Sequence, residues 1–198
     1  MKVFFDIDTQ LDFMLPGGAL YGPGAETLIP AIASLNRYAA ENGIPLVSST
    51  DAHPEDAQEF REWPPHCVAG TFGQQKPSAT LLTPRLTIPW NTAFDFESLD
   101  LAAKQIIVEK NALDIFSNPN LPRLLDMLDA TECYVYGVFI DYCVKCALMG
   151  LVRSGRRVFL IRDASASIST QAGDTAIRDF IVAGGSLVNM ADAAPGTN

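Results

Sequence analysis

The residue best placed for nucleophilic chemistry is Cys143. It follows Tyr134-Val135-Tyr136-Gly137-Val138, an apolar run that reads as a strand, and falls in the first turn of a helix pattern that begins near Asp141. A helix N-terminus offers partial positive charge and free backbone N–H groups, which favour a thiolate and can hold an oxyanion on a bound substrate. Cys143-Val144-Lys145-Cys146 is also a CxxC, so a thiol-redox or metal-binding protein using Cys143 and Cys146 is a second reading. The core-facing Val144 and Ala147 and the lack of a second CxxC weigh against it.

Carboxylates and a lysine end other apolar runs. Asp6 and Asp8 close Val3-Phe4-Phe5-Asp6-Ile7-Asp8, where residues two apart share one side of a strand that runs that far. A carboxylate there, within reach of a thiol, can act as general base and later protonate a leaving amine. Lys110 closes Ile106-Ile107-Val108-Glu109-Lys110 and brings a cation to the edge where anionic intermediates form. Asp51-Ala52-His53 places a carboxylate and an imidazole two residues apart on extended backbone, with Glu59 and His66 downstream. The chain has only 2 histidines, and both belong to this segment. Two imidazoles and two carboxylates suit one borderline divalent ion, zinc first and manganese or iron(II) as alternatives, with water in the open positions.

These residues need a scaffold that brings several strand ends together. Six short runs read as strands: those starting at Val3, Pro45, Ile106, Tyr134, Val158 and Ser186. Between them lie helix patterns: Leu28, Ile32, Leu35 and Ala39 with Gly43 as a stop; Leu121, Leu124, Leu125 and Leu128; Val144, Ala147, Leu148 and Leu151; and Ile177, Phe180 and Ile181. Strands apolar on both faces that alternate with helices predict an α/β three-layer sandwich. Its mainly parallel six-stranded sheet is flanked by helices on both faces, with the site at the carboxyl ends of the strands. The proline-rich stretch from Asp51 to Trp90 reads as a functional excursion outside the core.

Composition bounds the partners. The 198 residues suit a single domain spanning 1–198, 48% hydrophobic and 19% charged. A formal net charge of -9 disfavours nucleic acid and anionic membrane surfaces, and no signal peptide or spanning segment is evident. Four cysteines at irregular spacing (67, 133, 143 and 146) fit free thiols and a cytoplasmic setting. A small-molecule substrate is the expected partner, and a homo-oligomer stays open.

The motifs together resemble the nicotinamidases of the isochorismatase-like cysteine hydrolase superfamily nearly end to end. Asp8-Thr9-Gln10-Leu11-Asp12-Phe13 is similar to the D-x-Q-x-D-F segment, and Asp51-Ala52-His53 to D-x-H. Trp63-Pro64-Pro65-His66-Cys67-Val68-Ala69-Gly70-Thr71 is similar to W-P-P-H-C-x-x-G-T, a long and specific motif. Glu109-Lys110 and Gly137-Val138-Phe139-Ile140-Asp141-Tyr142-Cys143 resemble the lysine segment and the nucleophile turn.

The resemblance implies a catalytic triad of Asp8, Lys110 and Cys143 and a metal held by Asp51, His53, Glu59 and His66. It also implies ring-flanking aromatics at Phe13 and Trp63, an oxyanion hole from the N–H groups of Phe139 and Cys143, and a cis peptide between Val138 and Phe139. The implied activity is metal-dependent hydrolysis of nicotinamide to nicotinate and ammonia through a thioester, a step of NAD salvage. Another heteroaromatic amide or a carbamoyl substrate is the alternative. The chain departs from the family pattern at Phe139 and Ile140, where a small residue and Thr usually stand, so Phe139 is expected to shape the substrate pocket.

Overall fold

Strand β1 (Lys2–Ile7) is buried on both faces, and the rest of the molecule is arranged around it. The computed structural model describes residues 1–99 and 102–197. Along β1, Val3, Phe5 and Ile7 enter one apolar cluster and Phe4 enters another, as the two-residue period of a strand requires. Six further strands follow: β2 (Leu46–Asp51), β3 (Arg85–Ile88), β4 (Gln105–Lys110), β5 (Glu132–Val138), β6 (Arg157–Ala166) and β7 (Ser186–Val188). They form one sheet in the order β3-β4-β2-β1-β5-β6-β7, with every pairing parallel.

The helices are α1 (Leu11–Met14), α2 (Ile29–Glu41), α3 (Leu121–Met127), α4 (Cys143–Arg153), α5 (Thr170–Val182) and α6 (Met190–Ala193). Leu121, Leu124 and Leu125 of α3, Val144, Ala147, Leu148 and Leu151 of α4, and Phe180 of α5 cover one face of the sheet. Ile32, Leu35 and Ala39 of α2, Met14 of α1 and Ala193 of α6 cover the other. Helix α2 stops where the sequence says it should: Asn42 caps it, and Gly43 follows at φ +64°. No helix among the described residues is long and apolar enough to cross a membrane.

Among the described residues the sheet has seven strands and is wholly parallel, rather than mainly parallel with six. The additional strand, β3, lies within the proline-rich stretch, so that stretch is not wholly outside the core. Its sequence hides it because it is an edge strand between Pro84 and Pro89, and only Ile88 of its four residues is buried. Helix α4 begins at Cys143 rather than near Asp141. The Asp141 carboxylate instead accepts from the N–H groups of Ile168 and Ser169, tying the loop before α5 to the turn before α4.

Connections run one way from β1 through β2 to β4 and the other way through β5 to β6, so the strand order reverses beside β1. Such a reversal opens a crevice at the carboxyl ends of the strands. Gly137 makes the β1–β5 seam: at φ +120°, a Cβ there would lie 2.2 Å from the carbonyl oxygen of Ile7.

Candidate active site

Four adjacent strands, β4-β2-β1-β5, deliver Lys110, Asp51, Asp8 and Cys143 to the crevice. Lys110 and Asp51 are register partners at the ends of β4 and β2. Asp8 lies just beyond β1 at φ +49°, so the chain leaves the strand plane there and the Asp8 side chain departs from the line set by Asp6. Lys110 Nζ lies 2.8 Å from Asp8 Oδ2, 2.5 Å from Asp51 Oδ1 and 3.7 Å from Cys143 Sγ. A carboxylate oxygen of Asp8, one of Asp51 and the Cys143 sulfur all lie within 4.8 Å of one another.

Asp8 uses its two oxygens differently. Oδ1 accepts from the Ser49 hydroxyl at 2.5 Å, and the backbone N–H of Asp8 donates to the same hydroxyl oxygen at 3.1 Å. Oδ2 faces Lys110 as an ion pair at 2.8 Å without an aligned hydrogen bond, on the side of the carboxylate beside the thiol. Burial raises the Asp8 pKa, only partly offset by the Lys110 charge. Burial opposes the charge on Lys110, yet Asp51, Asp8 and Cys143 together hold its pKa well above the ordinary value.

For Cys143, burial pushes the pKa well above the usual thiol value despite Lys110. Burial thus opposes loss of the thiol proton, which the helix N-terminus favours. A group able to take that proton must therefore be at hand, and Asp8 is.

Next to this cluster, Asp51, His53 and His66 bring one ligand atom each within 4.8 Å of one another. Glu59 Oε1 lies 3.6 Å from His66 Nε2, and Glu59 Oε2 lies 3.9 Å from His53 Nε2. The outer ring nitrogens are held: His53 Nδ1 lies 2.7 Å from Asn111 Oδ1 and His66 Nδ1 lies 2.8 Å from the Pro64 carbonyl oxygen. Such partners fix the tautomer in which Nε2 carries the lone pair. His53 Nε2 is buried without a hydrogen-bond partner, as a metal ligand lacking its ion would be. The donor set of two imidazoles and two carboxylates fits a divalent ion.

A cleft opens over both groups, lined by Phe13, Trp63, His66, Phe139, Tyr142 and Cys143 among others. Trp63 meets Tyr142 edge to face at 5.6 Å, and Phe13 meets Phe139 likewise at 6.1 Å. The Val138–Phe139 peptide is cis. The Phe139 carbonyl accepts from the N–H groups of Tyr142 and Val144, and the Ile140 N–H donates to Ala166, so the turn before the nucleophile is pinned at both ends.

Of the residues singled out from the sequence, Phe13, Asp51, Glu59, Trp63, His66, Phe139 and Cys143 line this cleft and Asp8, His53 and Lys110 sit against them, whereas Asp6 enters a separate buried network. All four cysteines are free. Cys67 is buried with its pKa pushed far up by burial, and its N–H donates to Asp12 Oδ2. Sequence reasoning missed Ser49, Asn111 and the role of Gln10, whose amide clamps Asp51 through its N–H at 2.7 Å and its carbonyl at 2.9 Å. Gln10 stands inside the D-x-Q motif; Ser49 and Asn111 each stand two residues or fewer from a site carboxylate or lysine, a cue too common to single them out.

Comparison with known proteins agrees with this geometry. The chain is 27% identical over 206 residues to a nicotinamidase/pyrazinamidase of Mycobacterium tuberculosis, covering 95% of this chain and 98% of that one. It is 24% identical over 200 residues to a nicotinamidase of Saccharomyces cerevisiae, covering 85% and 89%. The crystal structure of a pyrazinamidase of Pyrococcus horikoshii in complex with zinc superposes with a TM-score of 0.78 at 27% identity, covering 95% of this chain and 98% of that one. A model of the isochorismatase domain matches residues 87–192, more than half of the sequence and the part that carries Lys110 and Cys143, and on that match the chain belongs to the isochorismatase family.

Proposed function

We propose that this protein is a cysteine amidohydrolase that converts nicotinamide to nicotinate and ammonia as a step of NAD salvage, with a divalent metal as cofactor. The observation that carries this reading is the buried Asp8 carboxylate beside the Cys143 thiol, with Lys110 Nζ 2.8 Å from Asp8 Oδ2 and 3.7 Å from the Cys143 sulfur and a metal-donor set on the same cleft.

Asp8 Oδ2 takes the thiol proton as Cys143 Sγ attacks the carboxamide carbon. The resulting oxyanion is held by the N–H groups of Phe139 and Cys143, and Lys110 balances the charge in a buried site where each charge counts heavily. Asp8 returns its proton to the amine nitrogen, the C–N bond breaks, and ammonia leaves a thioester on Cys143. Asp8 then takes a proton from water as the water adds to the thioester carbon; collapse of that adduct frees nicotinate and restores the thiol. Phe13 and Trp63 flank the ring.

Asp51, His53, Glu59 and His66 are the residues that would hold the ion, zinc first; it would supply a Lewis-acid centre beside the bound ring. Glu59 adds a carboxylate to the set and shifts its preference towards harder ions.

Ammonia release from nicotinamide by purified protein, before and after chelation and metal add-back, tests the reading. Turnover lost on chelation, regained on add-back and absent in Cys143→Ala is expected. Full turnover by Cys143→Ala would overturn the mechanism, and no turnover by metal-replete protein would overturn the substrate.

A further inference from the structure

We infer that Gly22 and Phe139 form a size gate for the substrate ring, in which the missing side chain of Gly22 lets the Phe139 ring withdraw from the cleft and set its depth. The inference rests on the proposed amide hydrolysis and names the ring size that site accepts.

Phe139 does two separate jobs. Its backbone belongs to the pinned turn before the nucleophile, while its ring, on a residue only 5% exposed, meets Phe13 edge to face and lines the cleft. The ring reaches the backbone of Gly22 so closely that a Cβ there would lie 2.3 Å from Cε1 and 2.4 Å from Cζ. No side chain at position 22 can coexist with the ring where it stands. Nothing else at that position demands glycine: its φ lies outside the left-handed region, and those ring atoms crowd its Cβ position.

Neither partner can easily retreat. The Gly22 N–H donates to the Phe13 carbonyl and the Leu20 N–H to the Asp12 carbonyl, which straps the segment to α1. The Phe139 backbone is fixed by its bonds to Tyr142 and Val144. A methyl group at position 22 therefore drives the ring by side-chain rotation into the cleft it already lines. The ring is thus a wall of the cleft, and on this inference a fused two-ring carboxamide meets it where a single planar ring does not.

The test combines Gly22→Ala, Phe139→Ala and the double variant, each assayed for ammonia release from nicotinamide and from quinoline-3-carboxamide, alongside thermal melting. A pocket change of a few carbons moves selectivity by roughly 10-fold to 100-fold. Phe139→Ala is expected to raise kcat/KM for the quinoline amide relative to nicotinamide by that amount. Gly22→Ala is expected to raise KM for nicotinamide and lower the melting temperature. The double variant is expected to match Phe139→Ala in both, because the ring that clashes is gone.

Additive effects in melting, or an unchanged selectivity ratio in Phe139→Ala, would overturn the gate. A wild-type enzyme that hydrolyses neither amide counts against the proposed function alone, since the melting coupling still decides whether ring and methyl exclude one another.

Discussion

Two buried aspartate–lysine pairs, one at Asp6 on β1 and one at Asp8 just beyond its end, do opposite work. At Asp6, Oδ1 accepts from Thr9, and Oδ2 accepts from Asn36 at 3.1 Å and Ser48 at 3.3 Å and lies 3.0 Å from Lys76. Lys76 also donates to the Thr9 hydroxyl, and Asn36 accepts from Tyr136 while donating to the Thr80 carbonyl. None of these side chains has a buried polar atom without a partner. At Asp8, by contrast, Oδ2 meets Lys110 as an ion pair at 2.8 Å without an aligned hydrogen bond, and His53 Nε2 close by has no hydrogen-bond partner. A satisfied polar network locks one conformation, here the loop carrying Lys76 and Thr80 against the sheet. Unfilled valences inside a fold are costly, and they are what chemistry can use.

The difference is tested most sharply by activity. Asp8→Asn should lower kcat/KM by about 10^4-fold or more, as loss of a triad member does, whereas Asp6→Asn protein that remains folded should keep its turnover within a few-fold. Comparable losses in both would erase the distinction. Stability should show the reverse order. Lys76→Met strands a charge at Asp6 and should cost about 3–5 kcal/mol, lowering the melting temperature by roughly 10 °C in a chain of this size.

A third effect concerns the support of the donor set. Asn111→Leu removes the partner of His53 Nδ1 and should weaken zinc binding by about 10–100-fold in a calorimetric titration; unchanged affinity would show that the ring is oriented by packing alone.

The smallest effect is a gain. Because burial raises the Asp8 pKa, the folded state holds more protons than the unfolded one between the ordinary aspartate value and the raised one. Stability therefore falls as pH rises through that window. Asp8→Asn should melt above the wild type at neutral pH, and the gap should close as pH falls below about 4, where the carboxyl becomes protonated in both states. A gap that widens on acidification would contradict the raised pKa.

Most of the frame is legible in sequence because parallel strands buried on both faces are written as bare apolar runs. Strand β3 escapes because Arg85-Leu86-Thr87-Ile88 buries one residue and is bracketed by prolines. The residues of the site are legible where motifs carry them, as Trp63 to Thr71 and Gly137 to Cys143 do. Their supporting partners are not: Ser49, Asn111, Lys76 and Gly22 acquire meaning only when distant segments meet, and no local period marks them. The balance at the thiol is hidden for the same reason, since the helix end is visible in sequence and the depth of burial is not.

The site also straddles the seam made by Gly137. Asp8, Asp51 and Lys110 come from β1 and the strands on one side of it, and Cys143 follows β5 on the other. Lys2 pairs with Glu132, 130 residues away in sequence, so this ladder closes the longest loop in the sheet. Long loops close late, after local pairings have formed. An incompletely folded chain thus holds a base without its nucleophile, and enzymatic turnover becomes a signal that the final ladder has zipped.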